Sequence, residues 1–158
     1  MNPDLDLSLQ RIIRAPRSVV WSAWTDPARL EQWWLPAPTQ CRVEQLRVEP
    51  GGAFVTSMSD DGIDYHAHLD ACFLTVTDGE RIVFTNAIDS AWRPATPEPI
   101  AMTAVITMLD HPDGTDYRVV VRHRDPASRA LHETLGFMDG WGSGTAQLAA
   151  VAEREGTS

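Results

Sequence analysis

Three titratable residues in the middle of the chain have the spacing of a metal site. His66, His68 and Asp70 occupy alternate positions, so in a β-strand their side chains project from one face. Two imidazoles and a carboxylate on one face are ligands that suit zinc or iron. The opposite face would carry Tyr65, Ala67, Leu69, Ala71 and Phe73, and this alternation is more typical of a strand with a polar outer face and an apolar inner face. We therefore predict no metal ion and no cofactor.

The remaining acids and bases lack a spacing that is typical of catalysis. His111, His123 and His132 are single and scattered, which favours surface or packing roles. An enzyme would need a general acid or base in a pocket, and Asp139, His66 and His132 are the candidates. The chain contains no phosphate-binding loop, nucleophile elbow or dinucleotide fingerprint. The sequence therefore assigns no catalytic residue.

The N-terminal region supplies large apolar side chains. Four of the six tryptophans lie between Ala15 and Trp34, and each buried indole needs a partner for its N–H group. Trp24 is predicted to lie in the core. Adjacent Trp33 and Trp34 differ by about 100° around a helix, so at most one fills the core and the other faces a cavity. With inward-facing residues of later elements, these side chains predict a pocket for a small hydrophobic or aromatic molecule. The candidate ligand-binding residues are Trp21, Trp33, Trp34, Phe54, Tyr65, Phe84, Trp92, Met102, Met138 and Trp141.

Composition and charge exclude several classes of partner. The chain has 158 residues and a formal net charge of -9, which suits one acidic globular domain over residues 1–158 with a core of about 5–153. An acidic surface repels nucleic acid and anionic membranes. No secretory signal is visible at the N-terminus, and Cys41 and Cys72 lack metal or redox spacing. We therefore expect a cytoplasmic protein with reduced thiols.

Alternation and turn residues predict seven strands. The first covers about Leu5–Ile13, and two short helices follow it, the second beginning at Asp26 with Pro27 in its first position. Proline-rich residues 92–99 are predicted to form a loop. The six later strands are predicted at about 41–48, 53–58, 63–77 with a bulge, 81–87, 100–109 and 117–123.

A long C-terminal helix completes the predicted fold. Apolar residues recur at helical steps from Leu131 to Ala152, which predicts about 25 residues after an N-cap at Ser128. These elements predict an α+β fold of order β-α-α-β6-α, in which a curved antiparallel sheet wraps around the helix.

Three glycines interrupt the helical pattern. Gly140, Gly142 and Gly144 together cost about 3 kcal/mol relative to alanine. They indicate close packing or a kink, or a helix face that is cut back to admit a ligand beside Trp141.

Several motifs in this order resemble one superfamily. The motifs are Ala15-Pro16, Val20-Trp21-Xaa-Ala23-Trp24-Thr25, Asp26-Pro27, Leu30-Xaa-Xaa-Trp33-Trp34, Gly51-Gly52 with Phe54, Arg81-Ile82-Val83-Phe84-Thr85 and Gly140-Trp141. Over about Leu7 to Ala152 the chain resembles START-like, birch-pollen-allergen-like helix-grip domains, also called SRPBCC. Within them it is most similar to the family named after the C-terminal domain of the activator of heat-shock-protein-90 ATPase. It departs from many relatives at Asp139, near which they carry histidine, and in the loop at 92–99.

The resemblance implies the helix-grip fold but leaves three functions open. The first is binding of a small hydrophobic or aromatic ligand, such as a lipid or a polyketide-like compound, between the sheet and the C-terminal helix. The second is a cyclase, dehydratase or hydrolase reaction in the same cavity. The third is binding to a chaperone ATPase through an outer surface. The sequence also leaves a homodimer open.

Overall fold

Seven strands form one antiparallel sheet in the computed structural model, which describes residues 1–156. The strands are β1 (Asp6–Ile13), β2 (Gln40–Leu46), β3 (Ala53–Ser59), β4 (His66–Thr77), β5 (Arg81–Thr85), β6 (Thr103–His111) and β7 (Gly114–Arg122). Their order across the sheet is β1-β7-β6-β5-β4-β3-β2. Strands β2 to β7 are thus joined to their sequence neighbours, and β1 closes the sheet against the last strand. The predicted α+β helix-grip fold is confirmed.

Strand β4 contains two irregularities that the predicted alternation did not place. Thr56 pairs with Leu69, whereas the next residue of β3, Ser57, pairs with Ala67. His68 is therefore an extra residue in a β-bulge, which re-aims the side chains around it. The prediction that His68 points to the outer face with its polar neighbours is wrong, because the alternation restarts at this bulge. A second shift lies between Phe73 and Thr75.

The two short helices that follow β1 are confirmed. They are α1 (Arg17–Thr25) and α2 (Pro27–Leu30). Asp26 caps α2, since its carboxylate accepts a hydrogen bond from the backbone N–H of Ala28 at 3.0 Å. Proline fits the first position of a helix because that residue needs no N–H partner.

The single C-terminal helix that was predicted is broken into three pieces. They are α3 (Pro126–Thr134), a π-helical segment (Met138–Gly142) and α4 (Ser143–Gly156). The break occurs at Gly136, whose φ of +101° suits glycine and disfavours other residues. The N-cap is Asp125 rather than Ser128: the Asp125 carboxylate accepts the backbone N–H of Ser128 at 2.7 Å. No helix within residues 1–156 is long and apolar enough to cross a membrane.

Aromatic side chains from α1, α2 and the sheet meet in the core. Trp24 is completely buried, as predicted. Its ring contacts those of Trp33, Trp34 and Phe54 at centroid distances of 5.0, 5.4 and 6.3 Å. Its Nε1–H donates to the hydroxyl oxygen of Tyr117 at 3.0 Å. Helix α1 is therefore fixed to β7 by one buried hydrogen bond as well as by packing.

This buried bond can be tested with a double-mutant cycle. Tyr117→Phe should lower the free energy of unfolding by about 1–3 kcal/mol, because it leaves the Trp24 N–H buried without an acceptor. Trp24→Phe should cost about 2–3 kcal/mol through lost volume. Urea denaturation of the double variant should show a coupling of about 1 kcal/mol. Strictly additive costs would contradict the assignment of this bond.

Candidate ligand cavity

One cavity of about 360 Å³ opens between the sheet and the C-terminal helices. Its walls come from the segment after α2, from β4, from the loop before β6, from β7 and from the broken helix. Gln147 of α4 fixes one wall: its side-chain amide donates to the carbonyl oxygens of Trp33 and Leu35 at 3.0 and 2.8 Å. Its Oε1 accepts the backbone N–H of Ala37 at 2.8 Å. Helix α4 and the tryptophan-bearing segment are thus held together beside the cavity.

Four predicted ligand-binding residues lie on this cavity: Trp33, Trp34, Met102 and Trp141. Both adjacent tryptophans reach it, although Trp33 is almost fully buried and Trp34 only partly. The N–H of Trp33 donates to the carbonyl oxygen of Ala23 at 2.9 Å. That carbonyl would bond the residue four positions later in a continuing helix, but Pro27 has no N–H.

The other six predicted residues lie away from the cavity wall. Phe54 and Phe84 are fully buried behind it, and Trp21 packs at the edge of the core. Phe84 still supports the wall, since its ring stacks on that of Trp141 at 6.4 Å.

Tyr65, Trp92 and Met138 occupy surface positions. The guanidinium of Arg42 lies 4.3 Å from the centre of the Tyr65 ring. Trp92 is 70% exposed and donates its indole N–H to the carbonyl oxygen of Gly51 at 2.7 Å. Met138 is exposed and borders a separate groove near the N-terminus. Their placement in the cavity was wrong, because bulges, the loop fold and the helix break re-aimed these side chains.

The cavity also has polar residues that sequence reasoning did not select: His68, Asn86, Tyr117 and Thr145. Asn86 is engaged with the backbone, since it donates to the carbonyl oxygen of Ile100 at 3.0 Å and accepts from the N–H of Met102 at 2.8 Å. It therefore holds the loop before β6 in place. Burial raises the pKa of Tyr117, so its phenol stays protonated. An Asn at the end of a strand has no sequence signal that separates this role from an ordinary turn.

Two histidines that looked isolated form a pair at the cavity wall. His132 of α3 lines the cavity, and its Nδ1 lies 2.8 Å from Nε2 of His123. The Nδ1 of His123 lies 2.8 Å from the carbonyl oxygen of Leu5. Burial, and then the neighbouring His123, lower the pKa of His132 from 6.5 to about 4. The pair links β1, the end of β7 and α3.

His68 is a second imidazole on the cavity, brought there by the bulge in β4. Its Nδ1 lies 2.9 Å from the hydroxyl oxygen of Thr56. The side chain is exposed by its accessible surface, yet surrounding protein atoms desolvate the ring and lower its pKa, with His66 adding a smaller effect.

The other candidate acids and bases lie elsewhere. Asp139 is exposed beside the N-terminal groove, and His66 is exposed on β4. Cys41 is buried, which raises the pKa of its thiol to about 12 with a contribution from Glu31, so it is not a nucleophile at neutral pH. Within residues 1–156, no group of three His, Cys, Asp or Glu side chains is arranged to hold a metal ion.

Two of the three helix glycines border the cavity: Gly140 and Gly144. A Cβ atom added at Gly140 would meet nothing within 4 Å, and one at Gly144 would touch two backbone oxygens at an ordinary 3.7 Å. Close packing therefore does not require glycine at Gly140. Small residues here leave open space beside Trp141.

The two adjacent tryptophans should differ in their contribution to stability. Trp33→Phe leaves the buried Ala23 carbonyl without a donor, whereas Trp34 carries a buried Nε1–H that has no partner within the described chain. Trp33→Phe should therefore cost about 1–2 kcal/mol more than Trp34→Phe in free energy of unfolding. Thermal or urea unfolding of the two variants measures this difference. Equal costs would contradict it.

His132 should make stability depend on pH. Its pKa is depressed on folding, from 6.5 to about 4, so its contribution is present above pH 6.5 and is lost as the pH falls towards 4. Allowing for solvent screening at a half-buried site, the loss between pH 7 and pH 5 is about 1 kcal/mol. His132→Asn should lose less stability over this interval than the wild type. Parallel slopes in urea denaturation at both pH values would contradict the assignment.

Comparisons with known proteins identify the family. Residues 14–153 match the model of the family described as Activator of Hsp90 ATPase homolog 1-like protein. A crystal structure of a Nitrosomonas europaea protein is 37% identical over the full length of both chains, with a TM-score of 0.87. No curated protein matches the chain.

More distant structures share the fold. A Mycobacterium smegmatis protein is 23% identical over 94% of this chain and 90% of its own, with a TM-score of 0.75. An AHSA1-like protein of Aeromonas hydrophila is 18% identical over 98% and 96%, with a TM-score of 0.68. The chain belongs to the family of Activator of Hsp90 ATPase homolog 1-like proteins.

Proposed function

We propose that this protein binds a small apolar or aromatic molecule, such as a lipid or a polyketide-like compound, in the cavity between the sheet and the C-terminal helices. The supporting observation is the cavity itself, about 360 Å³ in volume with three indole rings on its wall. Ligand pockets in proteins are about 300–1,000 Å³, and an apolar cavity of about 150 Å³ already accepts benzene. The space suits a compound of two fused or linked rings.

The aromatic wall is held in place before any ligand arrives. Trp34 and Trp141 meet edge to face at 5.9 Å, and Trp34 also contacts Phe54 and Phe84 at 5.1 and 6.1 Å. Rings that are already packed lose little conformational entropy on binding. A flat ligand therefore finds rigid faces and edges against which to stack.

Trp34 adds a polar feature to this wall. Its Nε1–H is buried without a hydrogen-bond partner within the described chain. Such donors are rare in folded proteins. Because this atom has no accessible surface, a ligand oxygen reaches it only after neighbouring side chains move.

A reaction in the same cavity is the second candidate, favoured by one observation: the imidazole of His132 lies on the cavity wall. A cyclase, dehydratase or hydrolase would use such a group as its base. Mass spectrometry of bound compounds before and after incubation separates turnover from simple binding.

Binding to a chaperone ATPase, suggested by the name of the family, would use an outer surface. A variant that fills the cavity would leave such binding intact.

Two neighbouring positions on α4 give a matched test of ligand binding. Thr145 is buried on the cavity wall, whereas Ala146 is exposed, because consecutive helical residues point about 100° apart. Thr145→Leu should weaken binding of the neutral dye N-phenyl-1-naphthylamine at least tenfold, by placing a branched side chain in the cavity. Ala146→Leu should bind it as the wild type does.

Dye fluorescence measures both affinities. Equal loss in the two variants, or no binding by the wild type, would contradict the proposal.

A further inference from the structure

The His123–His132 pair fixes where the protons of both imidazoles lie. The carbonyl oxygen of Leu5 can only accept a hydrogen bond, so the Nδ1 of His123, 2.8 Å away, carries a proton. His123 is 6% exposed, and no carboxylate bonds or pairs with either ring within residues 1–156. A buried cation without a counter-charge is costly, and in the neutral ring with its proton on Nδ1, the Nε2 of His123 is a bare acceptor.

The hydrogen bond between the two rings fixes the proton of His132 as well. The Nε2 of His123 needs a donor, and among residues 1–156 its hydrogen-bond partner is Nδ1 of His132, 2.8 Å away. That nitrogen is therefore protonated. A neutral imidazole carries one proton, so Nε2 of His132 has a free lone pair. Within the described chain no protein group bonds to it, and the residue borders the cavity.

His132, a residue of the cavity wall, thus carries a free acceptor whose tautomer is set by its hydrogen bond to His123 and by the bond from His123 to Leu5. The hydrogen bonds run from Leu5, just before β1, through His123, just after β7, to His132 on α3. Packing of His132 against Phe137 at 5.3 Å, with the rings nearly perpendicular, restricts rotation of its imidazole. A fixed acceptor in an apolar cavity selects ligands that carry a matching donor, since a polar site left unpaired is penalised.

The charge of the site argues against an anionic ligand. His132 has no proton on Nε2 to offer a carboxylate, Glu98 borders the cavity with its own negative charge, and the chain has a net charge of -9. A neutral O–H group on an aromatic ring satisfies the acceptor without bringing charge, and its ring suits the walls formed by Trp33, Trp34 and Trp141.

We infer that the cavity takes a neutral hydroxyaromatic molecule, of the phenol or naphthol class, whose hydroxyl group donates a hydrogen bond to Nε2 of His132. This inference rests on the proposed function and specifies its ligand class. His132 accepts the hydrogen bond from the ligand hydroxyl, and His123 is a positioning residue that fixes the tautomer of His132.

Three naphthalene derivatives test the inference by displacement of N-phenyl-1-naphthylamine. The wild type should bind 2-naphthol about three- to tenfold more tightly than 2-methoxynaphthalene, which has the oxygen but no donor. It should bind 2-naphthoate more weakly than either. Equal affinity for 2-naphthol and 2-methoxynaphthalene overturns the inference and leaves the proposed function standing. Failure of the dye and all three compounds to bind overturns both.

Matched variants separate recognition from folding. His132→Asn keeps a donor at the position of Nδ1 but lacks the acceptor at Nε2, so it should retain the affinity for 2-methoxynaphthalene and lose the preference for 2-naphthol. His123→Gln keeps an acceptor for His132 and should preserve the preference, whereas His123→Leu should reduce it. A preference that survives in His132→Asn overturns the inference.

A measurement on the wild type needs no ligand and no variant. Imidazole ¹⁵N chemical shifts at pH 7 distinguish a protonated from an unprotonated ring nitrogen. The inference requires Nδ1 of His132 to be protonated and Nε2 to be bare. The opposite tautomer, or a mixture of the two, overturns it.

Discussion

The position of Trp24 is the constraint on which the rest of the structure depends. Its ring contacts the rings of Trp33, Trp34, Phe54 and Phe84, and its N–H is bonded to the hydroxyl of Tyr117 on β7. Burial of an indole is most favourable where its one polar atom finds a partner, and the Trp24 N–H finds one in Tyr117. The hydrogen bond therefore fixes the position of helix α1 relative to Tyr117 on β7. That placement in turn presents the segment of Trp33 and Trp34 to the C-terminal helices, where Gln147 fastens it.

The cavity exists because the C-terminal helix does not run straight. Gly136 adopts a φ that ends α3, and the π-helical segment at Met138–Gly142 starts a new direction that leads into α4. A single straight helix would pack its apolar stripe against the sheet and fill the space with side chains. Breaking it sets α3 apart from the core, with no buried residue, while α4 keeps its own buried face. The gap at the junction is lined by Gly140 and Trp141. Gly136 and Gly140 lower the helix propensity of this segment, and both line the open cavity.

Sequence patterns predicted the sheet well because strands and turns are local signals. Alternation of apolar residues and turns such as Asp78-Gly79 lead to seven strands, and Asp26-Pro27 marks the second helix. The helix break was missed because Leu131, Leu135, Met138 and Trp141 keep helical spacing straight through Gly136. A positive φ leaves no trace in periodicity.

The cavity wall was predicted only in part for related reasons. The bulge at His68 shifts the alternation of β4 by one residue, and one residue decides which face a side chain occupies. Trp92 left the predicted pocket because its loop folds back on Gly51, a contact between distant residues that composition does not reveal.

The histidine pair shows how the fold creates chemistry that no motif displays. His123 follows the last strand and His132 lies on the next helix, nine residues apart in the chain and without a recognised spacing. The turn at Asp125 brings Nε2 of His123 within 2.8 Å of Nδ1 of His132, and pairing of β1 with β7 brings the Leu5 carbonyl to the other side of His123. In either imidazole alone, the proton could lie on Nδ1 or on Nε2. Because the rings are linked to a carbonyl that can only accept, the tautomers of both are determined. The nitrogen that remains without a protein partner within the described chain is Nε2 of His132, the residue on the cavity wall. An acceptor of fixed type on the cavity wall discriminates between ligands by the presence of a donor, whereas the tryptophans discriminate only by shape.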